Sequence, residues 1–512
     1  MSSYISSNVS HILDQIPQQS SAFVFGSGTI VASIVLIALS HFWISGSTKH
    51  VLRHTPFFGH LAFFTARHDF MDTTLKIAQQ KLRKQNKDPQ RGGIYDFHTV
   101  GHTVNVLHGE TGRKLFFGDK NLSLYQGYLF LRGGFPTTSK LGEKIELDNS
   151  KLKERLLYFI RREYLTDVLP TIVSEITGEL SKWGKTGEMD PYQRVYEFVF
   201  KLTCRLLVCT EFADNDKLRD HVRGLYWTIE DSANSFTNLV PWLRTRQKRA
   251  AAKATEELAD IITNVINERK KTGRRENDPM QYQIDLGDRD ADIIQYTFKI
   301  LFAGSVNTAA IAAWALVYLS THADQNKAVM EELQKAAHNT GMTGSLVEQL
   351  THVPLDTWES EMPVLELVIK ETIRLVFAII ALRRNINDPV MADGVKIAQG
   401  DFLAYFIHDI HLNPEIYPDP ETWNPNRWVD NDSEKKTTYP FLGWGVARFP
   451  CTGMRMAKLE IKTIIALCIA SYNFSSMDKS GELLRSDPEP DRNDWQRFMP
   501  LKPVRMGYER RA

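Results

Sequence analysis

One cysteine in the chain sits in a setting suited to chemistry. From Phe441 to Glu460 the sequence reads Phe-Leu-Gly-Trp-Gly-Val-Ala-Arg-Phe-Pro-Cys-Thr-Gly-Met-Arg-Met-Ala-Lys-Leu-Glu, a glycine-bearing loop that delivers Cys451 to an apolar helix expected over 454–469. Amide N–H groups at a helix N-terminus lower a thiol's pKa and can donate to its sulfur, so the spacing predicts that Cys451 favours the thiolate. Pro450 fixes the start of that helix. Such a sulfur is a metal ligand or a nucleophile. Cys204, Cys209 and Cys468 lack a comparable loop and read as buried apolar side chains. A nucleophilic cysteine needs a histidine base, for which His408 and His411 are the candidates. Their i, i+3 spacing would also suit a metal, but they lie between a strand and Asn413-Pro414 with no third ligand suggested. Both read as structural histidines.

Two further groupings place polar residues in apolar surroundings. Residues 300–319 form an uncharged run of 20, with Gly304, Ser305, Asn307 and Thr308 in its first half. In a helix, Gly304, Asn307 and Thr308 stand at i, i+3 and i+4, one polar face with a notch in it. Extended back to Ile293 the helix is roughly 40 Å long, and a helix apolar nearly all round is either lipid-exposed or the centre of a large core. The rest of the chain favours the core. Glu371 and Arg374, at i and i+3, can pair on one helix face. Arg427, within Pro425-Asn426-Arg427-Trp428, has the planar guanidinium that suits a multidentate buried network.

Taken in order, these segments resemble the cytochrome P450 family. The 441–460 loop is similar to the family's haem-ligand signature, and Glu371-Thr372-Ile373-Arg374 to its Glu-x-x-Arg helix. Residues 425–428 look like the Pro-x-Arg-aromatic segment that completes the ion-pair network. Ala303-Gly304-Ser305-Val306-Asn307-Thr308 resembles the oxygen-activating notch of the family's long helix. The resemblance implies a mainly α fold with small β-sheets, of cytochrome P450 type, binding haem b (iron-protoporphyrin IX). Cys451 is then the axial ligand of the haem iron, a thiolate that pushes electron density toward O–O cleavage. Trp444, Gly445 and Gly453 belong to its loop. Thr308 would hold dioxygen or its relay water, with Gly304 leaving room beside the haem. Glu371, Arg374 and Arg427 form the structural network.

Three departures from the family pattern matter. Asn307 stands where most relatives place Asp or Glu, and an amide orients water but does not titrate. Ala447 replaces a loop glycine, which requires a negative φ there. Phe449 takes the usual His or Arg place two before the cysteine, so Arg448, Arg383 and Arg384 become the candidates to bind haem propionates.

The implied activity is that of a monooxygenase acting on a hydrophobic small molecule. Its electrons would come from NADPH through NADPH-cytochrome P450 reductase, with cytochrome b5 as a further donor. The cysteine loop and the Asn-Thr pair look most like fungal enzymes of secondary metabolism, so the expected substrate is terpenoid- or steroid-like, an alkaloid or peptide-derived. Its contacts would come from 127–135, 224–242, the long helix, 377–382 and 495–498. Arg155, Arg161 and Arg162, on a helix expected over 152–164, either dock an acidic reductase surface or form a solvated face. The alternative is a haem-thiolate isomerase or dehydratase needing neither O2 nor reductase, which Asn307 keeps open.

Positioning these residues takes mostly helices, expected also over 324–337 and 365–375 and from Arg244 to about Lys271. A short hairpin is expected over 93–107, with strand-like patches at 395–397 and 402–405. The 512 residues are 43% hydrophobic and 24% charged, which excludes disordered and fibrous classes. With 62 Lys plus Arg against 61 Asp plus Glu, there is no electrostatic footprint for nucleic acid. Four cysteines cannot build a disulfide scaffold, which points to a reducing compartment for the body.

Residues 22–43 carry no Asp, Glu, Lys or Arg. As a helix they span roughly 33 Å, enough for a hydrocarbon core of about 30 Å. Lys49 and Arg53 follow directly, so the positive-inside rule puts the C-terminal body in the cytosol. The expected organisation is a lumenal tail at 1–21, with a glycosylation sequon at Asn8, then a transmembrane anchor at 22–43 and a haem-binding catalytic domain at 44–512. That arrangement implies single-pass residence in the endoplasmic reticulum membrane.

Overall fold

The computed structural model describes residues 52, 54–55, 59–132, 150–239, 243–429 and 431–511. The tail 1–21 with Asn8, the anchor 22–43, residues 133–135 and residues 240–242 lie outside the described residues. Among the described residues, twelve helices reach nine residues or more. They are α1 (Arg67–Lys84), α2 (Gly109–Gly118), α3 (Leu124–Arg132), α4 (Ser150–Tyr158), α5 (Arg162–Ser181) and α6 (Pro191–Leu207). After them come α7 (Asp216–Glu230), α8 (Arg246–Thr272), α9 (Asp290–Thr321), α10 (Ala323–His338), α11 (Pro363–Val376) and α12 (Met454–Ser471).

Local chemistry sets many of these boundaries. Asp190 caps α6 by accepting from the Tyr192 and Gln193 amides at 2.9 and 3.1 Å, with Pro191 in the first helical position. Thr245 caps α8 through the Lys248 amide, and Gly273 ends it in the left-handed conformation at φ 71°. The helix expected over 152–164 is two. Arg161 is extended, at φ −68° and ψ 154°, and breaks the run between α4 and α5. Its three arginines therefore part company. Arg155 makes a bidentate pair with Asp288 at 2.8 and 2.9 Å, Arg162 reaches Asp356 and Arg161 lies over the Tyr158 ring.

α9 is the spine of the molecule. Its 32 residues extend about 48 Å, and among the described residues it is the one helix long and apolar enough to cross a membrane. Every residue from Thr308 to Leu319 is nonetheless buried, so the apolar run is core, as expected. α6, α11, α12 and α8 pack around it. Thr297 and Ser305 return their hydroxyls to the Ile293 and Leu301 carbonyls at 2.9 and 2.6 Å, so these two polar side chains inside the core are satisfied by their own helix.

Twelve strands among the described residues complete the fold. The first six are β1 (His54–Thr55), β2 (Gly59–His60), β3 (Gly93–Thr99), β4 (His102–His108), β5 (Leu122–Ser123) and β6 (Thr186–Met189). The rest are β7 (Ile380–Asn385), β8 (Val390–Ala392), β9 (Val395–Ile397), β10 (Phe402–Phe406), β11 (Tyr472–Met477) and β12 (Arg505–Arg510). The expected hairpin is β3–β4. It joins a seven-stranded sheet ordered β1-β2-β3-β4-β10-β7-β5, in which β10 runs parallel to β4 and antiparallel to β7. A three-stranded sheet, β11-β12-β6, and the β8–β9 pair are separate.

α3 lies directly on β7, and a glycine allows it. A Cβ at Gly127 would stand 2.2 Å from the Leu382 carbonyl oxygen and 2.4 Å from its carbon, both backbone atoms that cannot turn aside. Gly178, on the exposed side of α5, would meet nothing within 4 Å. Gly127→Ala should therefore cost about 1–3 kcal/mol by overpacking, whereas Gly178→Ala should be neutral or stabilise by up to about 1 kcal/mol. Thermal unfolding of the two variants checks the contrast.

Candidate active site

The site is built outward from α11. Glu371 and Arg374 are both fully buried on one face of that helix, bonded twice at 2.8 Å. Arg427 donates to the same carboxylate at 2.8 Å, and the Trp428 indole and Asn424 amide add bonds of 3.1 Å each. Arg374 also holds the His411 and Pro420 carbonyls at 2.7 Å, and Arg427 those of Pro418, Asp419 and Thr422. Sequence and structure agree that this is a buried network rather than a surface bridge.

His408 and His411 are structural, as expected, although they occupy one buried helical turn. Burial and the Arg374 charge pull His411 down to about 3, so its ring is neutral. Its Nε2 can then accept the Leu442 amide at 2.9 Å, and the ring stacks on Phe441. That bond fixes the start of the cysteine loop. His408 meets His68 at 3.1 Å and plays no part in the site.

Within the loop, the Cys451 amide donates to the Trp444 carbonyl at 2.7 Å. Gly445 has φ +67°, and a Cβ there would come within 2.1 Å of the Phe449 carbonyl oxygen. Ala447 contradicts the expected negative φ. It stands at φ +52°, left-handed, and the Cβ of an L-residue is strained there. The expected thiolate is corrected as well. One side of Cys451 is exposed, but the surrounding protein raises its pKa by desolvation, and only the Gly453 amide works against that. Cys451 lies two residues before the helix cap at Gly453.

α9 presents one turn to open space. Ala303 and Asn307, at i and i+4, are its only exposed residues. Thr308 is buried, and Gly304 faces α6, where a Cβ would stand 3.1 Å from a Thr203 methyl carbon. The structure thus brings Asn307 to the exposed turn but turns Gly304 and Thr308 toward the packing between helices. The room that Gly304 leaves is room for α6.

The three candidate arginines also separate. On β7 successive side chains point to opposite sides. Arg384 bonds the Gly400 carbonyl and Gln126 at 3.0 and 3.4 Å. Arg383 points the other way, buried between the Phe449 and Phe116 rings with its carbon 4.4 and 5.0 Å from their centroids. It has no carboxylate partner among the described residues, its Nε makes no hydrogen bond, and burial lowers it to about 9. Arg448 is exposed at the loop. Arg383 Nη1 donates to the Leu382 carbonyl at 3.0 Å, and a buried guanidinium without a carboxylate, over the residue two before Cys451, is a fitting anchor for an anionic edge of a cofactor bound through that sulfur.

Beside Ala303 lies a cavity of about 330 Å³ lined by Tyr125, Tyr128, Tyr226, Phe298 and Phe302. The expected segments 127–135, 224–242 and the long helix contribute to its wall, and Leu152, Thr255 and Leu258 join them from α4 and α8. From 377–382 and 495–498, Phe377 and Phe498 pack on each other at 4.6 Å and Trp495 lies against Arg67. Sequence reasoning missed the Arg132–Glu230 ion pair in the wall, bonded at 2.9 Å. A signal existed: Val222, Tyr226 and Glu230 share one helical stripe, so the carboxylate falls on an apolar face.

Known proteins match this arrangement. The cytochrome P450 family model matches residues 55–491. The cytochrome P450 monooxygenase AacuE of Aspergillus aculeatus is 27% identical over 469 residues, covering 89% of this chain and 91% of the relative. The monooxygenase nsrP of Aspergillus novofumigatus is 28% identical, covering 85% and 84%, and a sterol 14-demethylase of Arabidopsis thaliana is 26% identical, covering 79% and 82%. Among solved structures, retinoic acid-bound cyanobacterial CYP120A1 has the same fold, with a TM-score of 0.66 at 19% identity, over 89% of this chain and 98% of that one.

Two outcomes follow from the loop and its support. Glu371→Ala strands two buried guanidinium groups and should cost about 3–5 kcal/mol, seen as loss of folded, haem-loaded protein on expression. Ala447→Gly should stabilise by about 1 kcal/mol by relieving the left-handed alanine, seen as a raised unfolding midpoint with the absorption spectrum unchanged.

Proposed function

The chain belongs to the cytochrome P450 family of monooxygenases, and from that premise we propose that it oxidises a hydrophobic small molecule of fungal secondary metabolism, terpenoid- or steroid-like, an alkaloid or peptide-derived. Its electrons come from NADPH through a cytochrome P450 reductase, with cytochrome b5 as a further donor. The observation that carries the reading is the exposed turn Ala303–Asn307 in an otherwise buried α9, beside an aromatic-lined cavity. The kinship with fungal monooxygenases and with a sterol demethylase supports the substrate class.

Cys451 would ligate haem iron, presented by the loop that Trp444, Gly445 and Gly453 shape. Arg383 would pair with a propionate in place of the basic residue that Phe449 displaces, and Arg448 is the second candidate at the loop. Bound there, haem supplies dioxygen activation and oxygen-atom transfer. The protein's own part is to exclude bulk water, orient the substrate and manage protons. Asn307 can orient a water molecule but cannot release a proton by titrating. We assign proton delivery to water held by Asn307, with the buried Thr308 hydroxyl one residue behind. Residues 22–43 would anchor the chain in the endoplasmic reticulum membrane with the catalytic body toward the cytosol.

Carbon monoxide added to the reduced protein should give the red-shifted difference band of haem-thiolate proteins, and Cys451→Ala should abolish it. Product formation should require O2, NADPH and reductase. Product formed anaerobically without NADPH would establish the isomerase or dehydratase reading, which Asn307 keeps open. Asn307→Ala should lower product per NADPH consumed by about tenfold, the scale of one lost hydrogen bond, and more than Thr308→Ala does.

A further inference from the structure

One end of the cavity is polar, and its groups are not all satisfied. On α3, Leu124, Tyr128 and Arg132 follow one another at four-residue intervals and line the wall; on α7, Tyr226 and Glu230 do the same. Arg132 donates to Glu230 Oε1 at 2.9 Å and to the Tyr128 hydroxyl at 3.2 Å, and its guanidinium lies 5.2 Å from the Phe302 ring centroid. The pair is formally neutral. It bridges α3 and α7, and two hydrogen-bonding groups beside it have no partner among the described residues. The Tyr226 hydroxyl is buried without a partner among the described residues. Glu230 Oε2 accepts no hydrogen bond from the described residues, and its carboxylate is the leading charge that bears on the Tyr226 phenol.

We infer that this end of the cavity recognises a hydroxyl group on an otherwise apolar, ring-bearing substrate, the hydroxyl donating to Glu230 Oε2 and accepting from the Tyr226 O–H. The inference rests on the cavity being the substrate's. A buried hydroxyl without a partner is costly, and a ligand hydroxyl with one donor and one acceptor site satisfies both open groups at once. Other chemistries fit less well. A ligand carboxylate would meet Glu230, while Arg132 is already engaged by that carboxylate and Tyr128. An ammonium group would meet Arg132. A hydrocarbon would leave Tyr226 and Glu230 as they are. The five aromatic rings of the wall suit flat or polycyclic carbon skeletons.

Three probes separate these cases: 2-naphthol, 2-methoxynaphthalene, which lacks the donor, and naphthalene, which lacks both functions. Their binding to the full-length haem-loaded protein is followed by quenching of naphthalene fluorescence, so turnover is not needed. We expect 2-naphthol to bind at least about tenfold more tightly than 2-methoxynaphthalene, the scale of a hydrogen bond to a charged acceptor. Tyr226→Phe should reduce the advantage of 2-naphthol over naphthalene, and Glu230→Gln its advantage over 2-methoxynaphthalene, each with naphthalene affinity unchanged. Equal affinities for the three probes, no binding by any of them, or a preference that survives both substitutions overturns the inference. The carbon monoxide band is recorded on the same samples. If the band is present and the preference absent, the hydroxyl site alone fails; if the preference is present and the band absent, the haem-thiolate reading fails and the hydroxyl site stands.

Discussion

A single carboxylate, that of Glu371, is the group on which the rest of the structure depends. It is withdrawn completely from water and accepts five hydrogen bonds, from Arg374 twice, Arg427, Trp428 and the Asn424 amide. Removing a carboxylate and two guanidinium groups from water costs several kcal/mol per ion, so such a cluster survives only with nearly complete geometry. Backbone carbonyls complete it. Those of His411, Pro418, Asp419, Pro420 and Thr422 spread partial negative charge around the surplus cation. The segment from His411 to Trp428 has no strand and little helix to hold its shape. Its conformation is written by the arginines that its carbonyls satisfy.

From there the order passes to the cysteine loop by one bond. His411 is neutral because it is buried beside Arg374, and neutrality lets its ring accept the Leu442 amide. The loop then closes on itself through the Trp444 carbonyl and Gly445. α12, which begins just beyond, packs against α9, so the support of Cys451 and the exposed turn at Ala303 and Asn307 belong to one packed assembly.

Much of this was legible in the sequence, for definite reasons. The helix expected from Arg244 to about Lys271 is α8, and Glu371, Arg374 and Arg427 identify one another by residue type and spacing. The facing of α9 was not legible. The i, i+3, i+4 spacing puts Gly304, Asn307 and Thr308 on one polar face, but a helix apolar nearly all round gives little periodicity to test that choice, and the structure sets Gly304 against α6 and buries Thr308 while Asn307 is exposed. Alternation along β7 separates Arg383 from Arg384, but which of them meets Phe449 is a long-range fact. The φ of Ala447 likewise belongs to the loop as a whole. The stripe Val222, Tyr226 and Glu230 is the opposite case, a local signal that could have been read.

Arg383 has a consequence for how the protein comes to be made. Its guanidinium is held between two phenylalanine rings with no anion among the described residues to compensate it. With the proposed propionate contact, the prosthetic group is also a folding ligand: it binds the native state and not the unfolded chain, and so stabilises the fold by mass action. The yield of native protein in the cell is then coupled to the supply of haem during synthesis, and a chain released before its cofactor arrives is the form most exposed to proteolysis.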